Sequence, residues 1–272
     1  MSTRGFRLST GSTWTIRGLV VVVLAFIYVP LGVVVLNSFN ADRTFAWPPS
    51  GLTLEWWRRA SRSSGLIDSL QQSVVVGLAA TGVALLLGSL AAFALQRYEF
   101  FGRQAVSLLI VLPIALPGIV TAIALSNVFT TILGVGVSVW SLVIAHATFC
   151  IVVVFNNVVA RLRRLGGNID EASMDLGATR WTTFRLVTLP NLGTALLAGG
   201  LLAFALSFDE IVVSTFTAPP DVQTLPLWIY SNLLNRQQAP VVNVAAAGLI
   251  VLSIVPIYLS QRLSGERSGG RL

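Results

Sequence analysis

Six stretches of this chain are long and apolar enough to cross a lipid bilayer as helices. A bilayer core about 30 Å thick requires roughly 20 consecutive apolar residues. Inside it every backbone polar group must be paired within the segment, which favours helices. The predicted spans cover about residues 18–39, 69–95, 105–133, 137–160, 192–216 and 241–260. We therefore predict an all-α integral membrane protein with a single transmembrane domain over residues 1–272.

The composition agrees with a membrane protein and excludes much bond-making chemistry. Charged residues make up 11% of the chain, against about 25% in soluble proteins. All 18 basic residues are arginine, so the chain has no lysine for a nucleotide-binding P-loop or a Schiff base. One histidine, His146, and one cysteine, Cys150, are too few for a zinc cluster or a disulfide. We expect no enzyme activity, no catalytic residue, and no metal or cofactor bound by this chain.

The placement of the arginines predicts the orientation of the six spans. With a cytoplasmic N-terminus, thirteen arginines fall on the inside and five on the outside, as the positive-inside rule requires. Both termini are then predicted to be cytoplasmic. The positive charge is a topology signal. No nucleic-acid partner is expected, because no arginine-rich segment is interleaved with aromatic residues.

The predicted inside loop at residues 161–190 is too long for a simple connection. Asn168 followed by Glu171 is typical of a helix start, and Gly177 offers a bend in the middle. Pro190 is predicted to separate this helix from the fifth span. One apolar stripe recurs at helical spacing, formed by Met174, Ala178, Trp181 and Phe184. The pattern predicts a short, bent amphipathic helix that lies on lipid or docks in a groove of a partner. Its acidic residues favour a protein partner.

The amino-acid sequence of this loop resembles a family motif. Glu171-Ala172-Ser173, Gly177 six residues after the glutamate, and Val187-x-Leu189-Pro190 follow the spacing of the EAA loop of type I (MetI-like) ABC importer permeases. The departures from that pattern are Ser173 in place of alanine and Val187 in place of isoleucine. The resemblance implies a MetI-like fold with six transmembrane helices. It also implies that this loop is the coupling helix that docks on a cytoplasmic ATPase. The residues assigned to this coupling are Glu171, Ala172, Ser173, Gly177, Arg180, Leu189 and Pro190.

The same resemblance implies the partners of the chain. They are a second, non-identical permease subunit, two cytoplasmic ABC ATPase subunits, an extracytoplasmic substrate-binding protein and the surrounding lipid. ATP and magnesium are then used by the partner ATPase, which agrees with the absence of lysine from this chain.

The path for the transported solute is expected to include polar groups that are costly in lipid. Ser207, Asp209 and Glu210 lie inside the otherwise apolar fifth span, and Asn156 and Asn127 lie in spans four and three. An acidic pair attracts a cation, although one acid at a helix end is also typical of the membrane interface. The other polar groups, His146 among them, are alternatively explained by hydrogen bonds between helices.

Two further segments resemble the polyamine (spermidine and putrescine) branch of these permeases. They are Phe45-Ala-Trp-Pro-Pro with Leu52-Thr-Leu-Glu-Trp, and Ser207-Phe-Asp-Glu-Ile-Val-Val-Ser-Thr-Phe-Thr. Polyamines are polycations, which suits an acidic pair. The alternatives are an ABC permease for another small solute, such as an amino-acid-like compound, iron or another ion, and a self-contained secondary transporter. The last would be supported by inverted repeats, which the two halves do not display, and it leaves the EAA-like loop unexplained.

Overall fold

The computed structural model describes residues 10–43, 48–166 and 168–252, and these residues are predominantly helical. Among them no β-strand occurs, and the sheet-like pairing is limited to an isolated antiparallel bridge between Asn40 and Leu52. The helices are α1 (Thr10–Asn37), α2 (Glu55–Ala60), α3 (Ser64–Arg97), α4 (Arg103–Ala115), α5 (Gly118–Asn127), α6 (Val139–Leu165), α7 (Asn168–Asp175), α8 (Arg180–Thr183), α9 (Leu189–Phe208), α10 (Val212–Thr217), α11 (Leu225–Asn232) and α12 (Ala239–Leu252). The all-α prediction is confirmed for this part of the chain.

The chain divides into two compact units, and the first combines residues 1–63 with residues 231–272. Its helix α1 is apolar from Gly18 to Leu36, and none of its most hydrophobic window is buried. A helix that is apolar all round and exposed in this way is suited to a lipid environment. In the loop that follows α1, Trp56 is buried and its indole Nε1 donates to the backbone oxygen of Asn40 at 2.8 Å. This tryptophan therefore holds the loop together.

The second unit, residues 64–230, is organised around α6. In the most hydrophobic window of α6, 67% of the residues are buried, against 33% in α3 and 28% in α9. Helix α6 packs against α3 and α9 along its length, and also against α4 and α10. Its buried face includes Phe149, Val154, Phe155 and Val158. Helix α6 is thus the central helix of this unit.

Close approach between α3 and α6 depends on Gly88. A Cβ atom at this position would lie 2.9 Å from the backbone oxygen of Ile151 and 3.1 Å from Cβ of Val154. Since lipid tails are as apolar as the side chains, helices in a bilayer associate through tight packing of small residues. The small-residue pattern of the second predicted span is therefore the reason that α3 can pack so closely against α6.

The third predicted span, residues 105–133, is not one continuous helix. Helices α4 and α5 are bent by 106° at the break between them. Leu116 is extended, with φ −82° and ψ 147°, because the ring of Pro117 disfavours a helical residue before it. Pro113 lies within α4, so Pro117 is the proline that breaks the segment.

The number of spans in the described residues is smaller than six. Four helices are long and apolar enough to cross a membrane, or five if α4 and α5 together form a broken span. The fifth predicted span, residues 192–216, ends as a helix at Phe208 and resumes as the short α10. Of the sixth, at 241–260, the structure describes the part within α12, and residues 253–260 lie outside the described residues.

Candidate functional site

The EAA-like loop (residues 161–190) contains two short helices joined by a tight turn. Helix α7 begins at Asn168 as predicted, while the side chain of that residue lies outside the described part. The turn follows Asp175, and Gly177 adopts φ +89°, a conformation that L side chains rarely adopt. The chain then enters α8, where Thr179 Oγ1 accepts a hydrogen bond from the backbone N–H of Thr182 at 3.2 Å. The bend expected at Gly177 is therefore confirmed.

The prediction that Pro190 separates this loop from the fifth span is wrong. A continuous helical segment runs from Arg180 to Phe208, with a π-helical turn at Phe184–Thr188. Proline has no N–H and its ring crowds the carbonyl four residues earlier, so an ordinary α-helix would be broken here. The wider π-helical turn accommodates the ring, and Asn191 Nδ2 donates to the oxygen of Val187 at 2.8 Å. The loop is consequently joined rigidly to the fifth span.

The residues assigned to coupling are mainly on the surface of this loop. Glu171, Ala172, Gly177 and Arg180 are exposed, as are Leu189 and Pro190 at the start of α9. Ser173 is partly buried, and its hydroxyl lies 3.1 Å from that of Thr183 on α8. This contact ties the two short helices together.

Exposed apolar side chains lie beside these coupling residues. Leu176 is 90% exposed and Trp181 is 68% exposed. Trp181 and Phe184 lie on one stripe as predicted, with their rings stacked at 5.7 Å between centroids. Phe184 is partly buried and also packs edge-on against Phe93 at 5.4 Å between ring centroids. The tip of the loop thus presents an apolar surface with charged neighbours, which is the composition of a protein-binding surface.

Asp170 anchors the loop, a role that sequence reasoning did not assign to it. Its carboxylate is buried, forms an ion pair with Arg97 at the end of α3, and accepts a hydrogen bond from Thr188 Oγ1 at 2.8 Å. The sequence shows an acid next to Glu171 and an arginine just after the second predicted span. The spacing of these two residues does not indicate that they form a pair. A cavity of about 480 Å³ lies beside this anchor and is lined in part by Gln96, Glu171 and other loop residues.

The second region of interest is the acidic break, residues Asp209–Ile211, between α9 and α10. Asp209 follows the last helical turn of α9 and is exposed. Glu210 is partly buried, and its Oε1 accepts a hydrogen bond from the backbone N–H of Val213 at 2.8 Å. A carboxylate at this position caps the N-terminus of α10 and complements its dipole. Three of the five path candidates, Ser207, Asp209 and Glu210, therefore meet at one interruption of an apolar helix.

His146 on α6 contacts both sides of this break. Its side chain is fully buried, with Nδ1 2.8 Å from the hydroxyl oxygen of Ser207 and Nε2 2.9 Å from that of Ser214. Of the two alternatives for this residue, hydrogen bonding between helices is the one observed.

Neither asparagine candidate has a hydrogen bond to the residues of the break among the contacts of the described residues, and Asn156 lies well apart from it. Asn156 is exposed on α6, ten residues or about 15 Å along the helix from His146. It lines a cavity of about 480 Å³ together with Arg103, Arg163 and Ser107. Asn127 is exposed at the end of α5, a helix that packs against α10. Among the described residues there is no cluster of His, Cys, Asp and Glu that could hold a metal ion.

Residues 84–267 match the model of the family described as binding-protein-dependent transport system inner membrane component. The chain belongs to this family, so it is a multi-pass inner-membrane subunit of an ABC importer and not an enzyme. Membership implies a second permease subunit, ATPase subunits and a substrate-binding protein as partners.

Several individual relatives are similar over nearly their full length. The spermidine/putrescine transport system permease protein PotC of Escherichia coli K12 is 36% identical over 253 residues, which cover 93% of this chain and 95% of the relative. PotC of Haemophilus influenzae is 37% identical, with 91% and 95% covered. The putrescine permease PotI of E. coli K12 is 29% identical, with 89% of each chain covered.

Solved structures of importers have the same fold. A bacterial ABC transporter involved in the import of the acidic polysaccharide alginate aligns with a TM-score of 0.66 at 16% identity, covering 96% of this chain and 99% of that one. An amino acid ABC transporter crystallised with histidines aligns with a TM-score of 0.60, covering 79% and 100%. At such identities the likeness concerns the fold alone, and it agrees with the MetI-like architecture.

Proposed function

We propose that this chain is a path-forming permease subunit of an importer for polyamines, spermidine or putrescine, delivered by an extracytoplasmic binding protein. The observation that carries the proposal is the acidic break. Asp209 and Glu210 interrupt an apolar helix. An acid inside a membrane segment is costly in free energy, and acids found there generally mark functional sites. The relatives named for polyamine transport support this choice of solute.

Asp209 and Glu210 would contribute unequally to a cation path. Glu210 already accepts a hydrogen bond from the N–H of Val213 at 2.8 Å, whereas Asp209 is exposed at the end of α9. An ammonium group of the cargo would therefore pair first with Asp209, while Glu210 adds negative potential from within the cap. Ser207 supports the break through His146. Asn156 would contribute to another part of the path, since it lies about 15 Å along α6 from His146, and Asn127 would contribute from the end of α5, which packs against α10.

The proposed coupling runs through the EAA-like loop. Glu171, Ala172, Ser173, Gly177 and Arg180 would contact the partner ATPase, which binds ATP and magnesium, while this chain binds no cofactor. The continuous helix from Arg180 to Phe208 supports a lever-like motion, because a displacement at the loop is passed along a rigid element towards the acidic break. Leu189 and Pro190 lie in the segment that makes this connection.

The remaining parts of the proposal concern assembly and orientation. We propose a heterodimer with a non-identical permease and two ATPase subunits below it. Both termini would be cytoplasmic and the number of spans six, with the arginine distribution as support. This orientation places the EAA-like loop on the ATPase side.

The test is uptake of radiolabelled putrescine and spermidine by cells that express the complete transporter. An Asp209→Asn/Glu210→Gln double variant should lower uptake by at least about tenfold, because the attraction for a polycation is removed. Glu99→Gln, which neutralises an exposed carboxylate between α3 and α4, is the matched control and should transport normally. Co-purification of the ATPase with each variant reports assembly. Unchanged uptake by the double variant would remove the acidic break from the path.

A second measurement separates the solute from the transporter class. ATP hydrolysis by the reconstituted complex should be stimulated by the cognate binding protein loaded with putrescine or spermidine. Stimulation by a different solute only would retain the importer and reject the polyamine. Uptake that persists without any ATPase would instead support a self-contained secondary transporter.

A further inference from the structure

His146 joins three segments of the chain at one point. It lies in the first third of α6, is fully buried, and contacts Ser207 before the acidic break and Ser214 after it, at 2.8 and 2.9 Å. No backbone hydrogen bond of a regular helix crosses an interruption of this kind. The imidazole is therefore a side-chain link between α9 and α10.

The hydrogen bonds around the ring determine where its proton lies. Ser214 Oγ donates its single hydrogen to the backbone oxygen of Glu210 at 2.9 Å, so it can only accept from His146 Nε2. The imidazole is then the neutral Nε2–H tautomer, and its Nδ1 accepts a hydrogen bond from the Ser207 hydroxyl. With this assignment each hydrogen bond in the chain from Ser207 to Glu210 has one donor and one acceptor.

The same chain of bonds fixes the acidic residue. The backbone oxygen of Glu210 accepts from Ser214, and its carboxylate accepts from the N–H of Val213. Both groups of Glu210 are thus held by the first turn of α10, and α10 is held in turn by His146. Because both ring nitrogens are engaged and the side chain is fully buried, His146 itself has no free group for cargo.

We propose that His146 is a positioning residue that holds α9 and α10 in a fixed arrangement across the acidic break, so that Asp209 and Glu210 keep their places in the path. The role of the acids rests on the proposed function, while the role of His146 in holding the break does not. His146 acts through Ser207 and Ser214, and it does so from α6, which packs against both α9 and α10.

The test measures the geometry of the break directly. Spin labels at Leu197 on α9 and Val212 at the start of α10, both exposed, would be on the order of 20 Å apart at 1.5 Å per residue. The buried Cys150 is replaced by alanine in every sample, and the complete transporter with its ATPase and second permease is used. Pulsed electron paramagnetic resonance then reports the distribution of distances between the two labels.

Three variants are compared with the labelled parent. His146→Leu removes the link, and Ser214→Ala removes one hydroxyl from it. Thr217→Val is the matched control, since Thr217 is a fully buried residue of α10 whose hydroxyl donates to Val213 of the same helix. We expect a single narrow distribution in the parent and in Thr217→Val, and a broadened or shifted one in His146→Leu and Ser214→Ala.

The outcomes separate this proposal from the preceding one. Unchanged distributions in both His146→Leu and Ser214→Ala, with the complex assembled, would overturn the positioning role. If His146→Leu fails to assemble, Ser214→Ala decides, because it removes a single oxygen atom. Broadened distributions combined with normal uptake in Asp209→Asn/Glu210→Gln would retain His146 as the link and reject the acidic path.

Discussion

The segment from α7 to α10 is interrupted at Gly177 and again at the acidic break, and the two interruptions are built in different ways. At Gly177 the backbone reverses through a positive φ, and the neighbouring side chains Glu171, Leu176 and Trp181 are exposed. At the acidic break the buried polar groups are paired with one another through His146 and Ser214. The turn at Gly177 leaves its neighbouring side chains exposed for contacts with another protein. The acidic break uses most of its polar groups in hydrogen bonds within the chain.

This difference follows from the surroundings of each interruption. A loop in water loses little from an open turn, because water pairs with any free backbone group. Within a bilayer an unpaired group costs several kcal/mol, so a helix can be broken only where side chains replace the lost bonds. The exposed turn therefore suits a surface that binds another protein, and the paired break suits a path that must remain defined in an apolar environment.

The largest effect is expected from the anchor that holds the exposed turn to the bundle. Asp170→Ala leaves Arg97 without its partner and removes the acceptor of Thr188. Breaking a buried ion pair costs about 3–5 kcal/mol, and because the Arg97 side chain is 40% exposed we expect a smaller loss of about 1–2 kcal/mol. ATP hydrolysis stimulated by loaded binding protein should fall about 5- to 30-fold, since 1.4 kcal/mol corresponds to a factor of ten. Asp175→Ala, an exposed acid at the end of the same helix, is the control, and equal behaviour of the two variants would contradict the anchoring role.

A somewhat smaller effect is expected at the turn itself. Gly177 has open space around the position of a Cβ atom, so Gly177→Ala introduces backbone strain and no steric clash. An L-residue in this conformation costs about 1–2 kcal/mol. The amount of ATPase that co-purifies with the permease should fall several-fold. Gly193→Ala adds the same methyl group in α9, where there is also open space and no positive φ, and it should behave like the parent. A normal yield of complex from Gly177→Ala would show that the turn is not needed for docking.

The smallest effects are expected from a serine-to-alanine substitution at each of the two interruptions. Ser207→Ala removes one hydrogen bond to the buried His146, and a typical hydrogen bond contributes about 0.5–1.5 kcal/mol to stability. Ser173→Ala removes the 3.1 Å contact with Thr183 in the partly exposed loop, where surface changes are usually within about 0.5 kcal/mol. In thermal unfolding of the purified complex, Ser207→Ala should lower Tm by about 2–4 °C per kcal/mol lost, and Ser173→Ala should leave Tm nearly unchanged. The reverse order would contradict the contrast between a paired and an open interruption.

Much of the architecture followed from patterns that are local in the sequence. Apolar runs of sufficient length identified the helices, and the loop at 161–190 was recognised from its acids, its glycine and the spacing of its motif. The bend at Gly177 was also anticipated from the glycine. These features depend on a few neighbouring residues, which is why a single sequence displays them.

The errors concern the ways in which helices end or continue. Pro190 was expected to break the helix, yet the helix continues through this residue after the π-helical turn at Phe184–Thr188. The fifth span was expected to be continuous, yet it stops at Phe208, and Glu210 caps a new segment that begins at Val212. Each outcome depends on whether side chains are available to replace lost backbone bonds, and hydropathy does not measure this.

Membrane residence and an all-helical chain were readable from length and apolarity, and the need for an ATPase supplied by another subunit followed from the resemblance of the EAA-like loop to a family motif. The pairing of Asp170 with Arg97, and of His146 with Ser207 and Ser214, was not. These partners are separated by 61 to 73 positions along the chain. They meet because α3, α6 and α9 pack together, and the distances between helices are set by packing over their whole length.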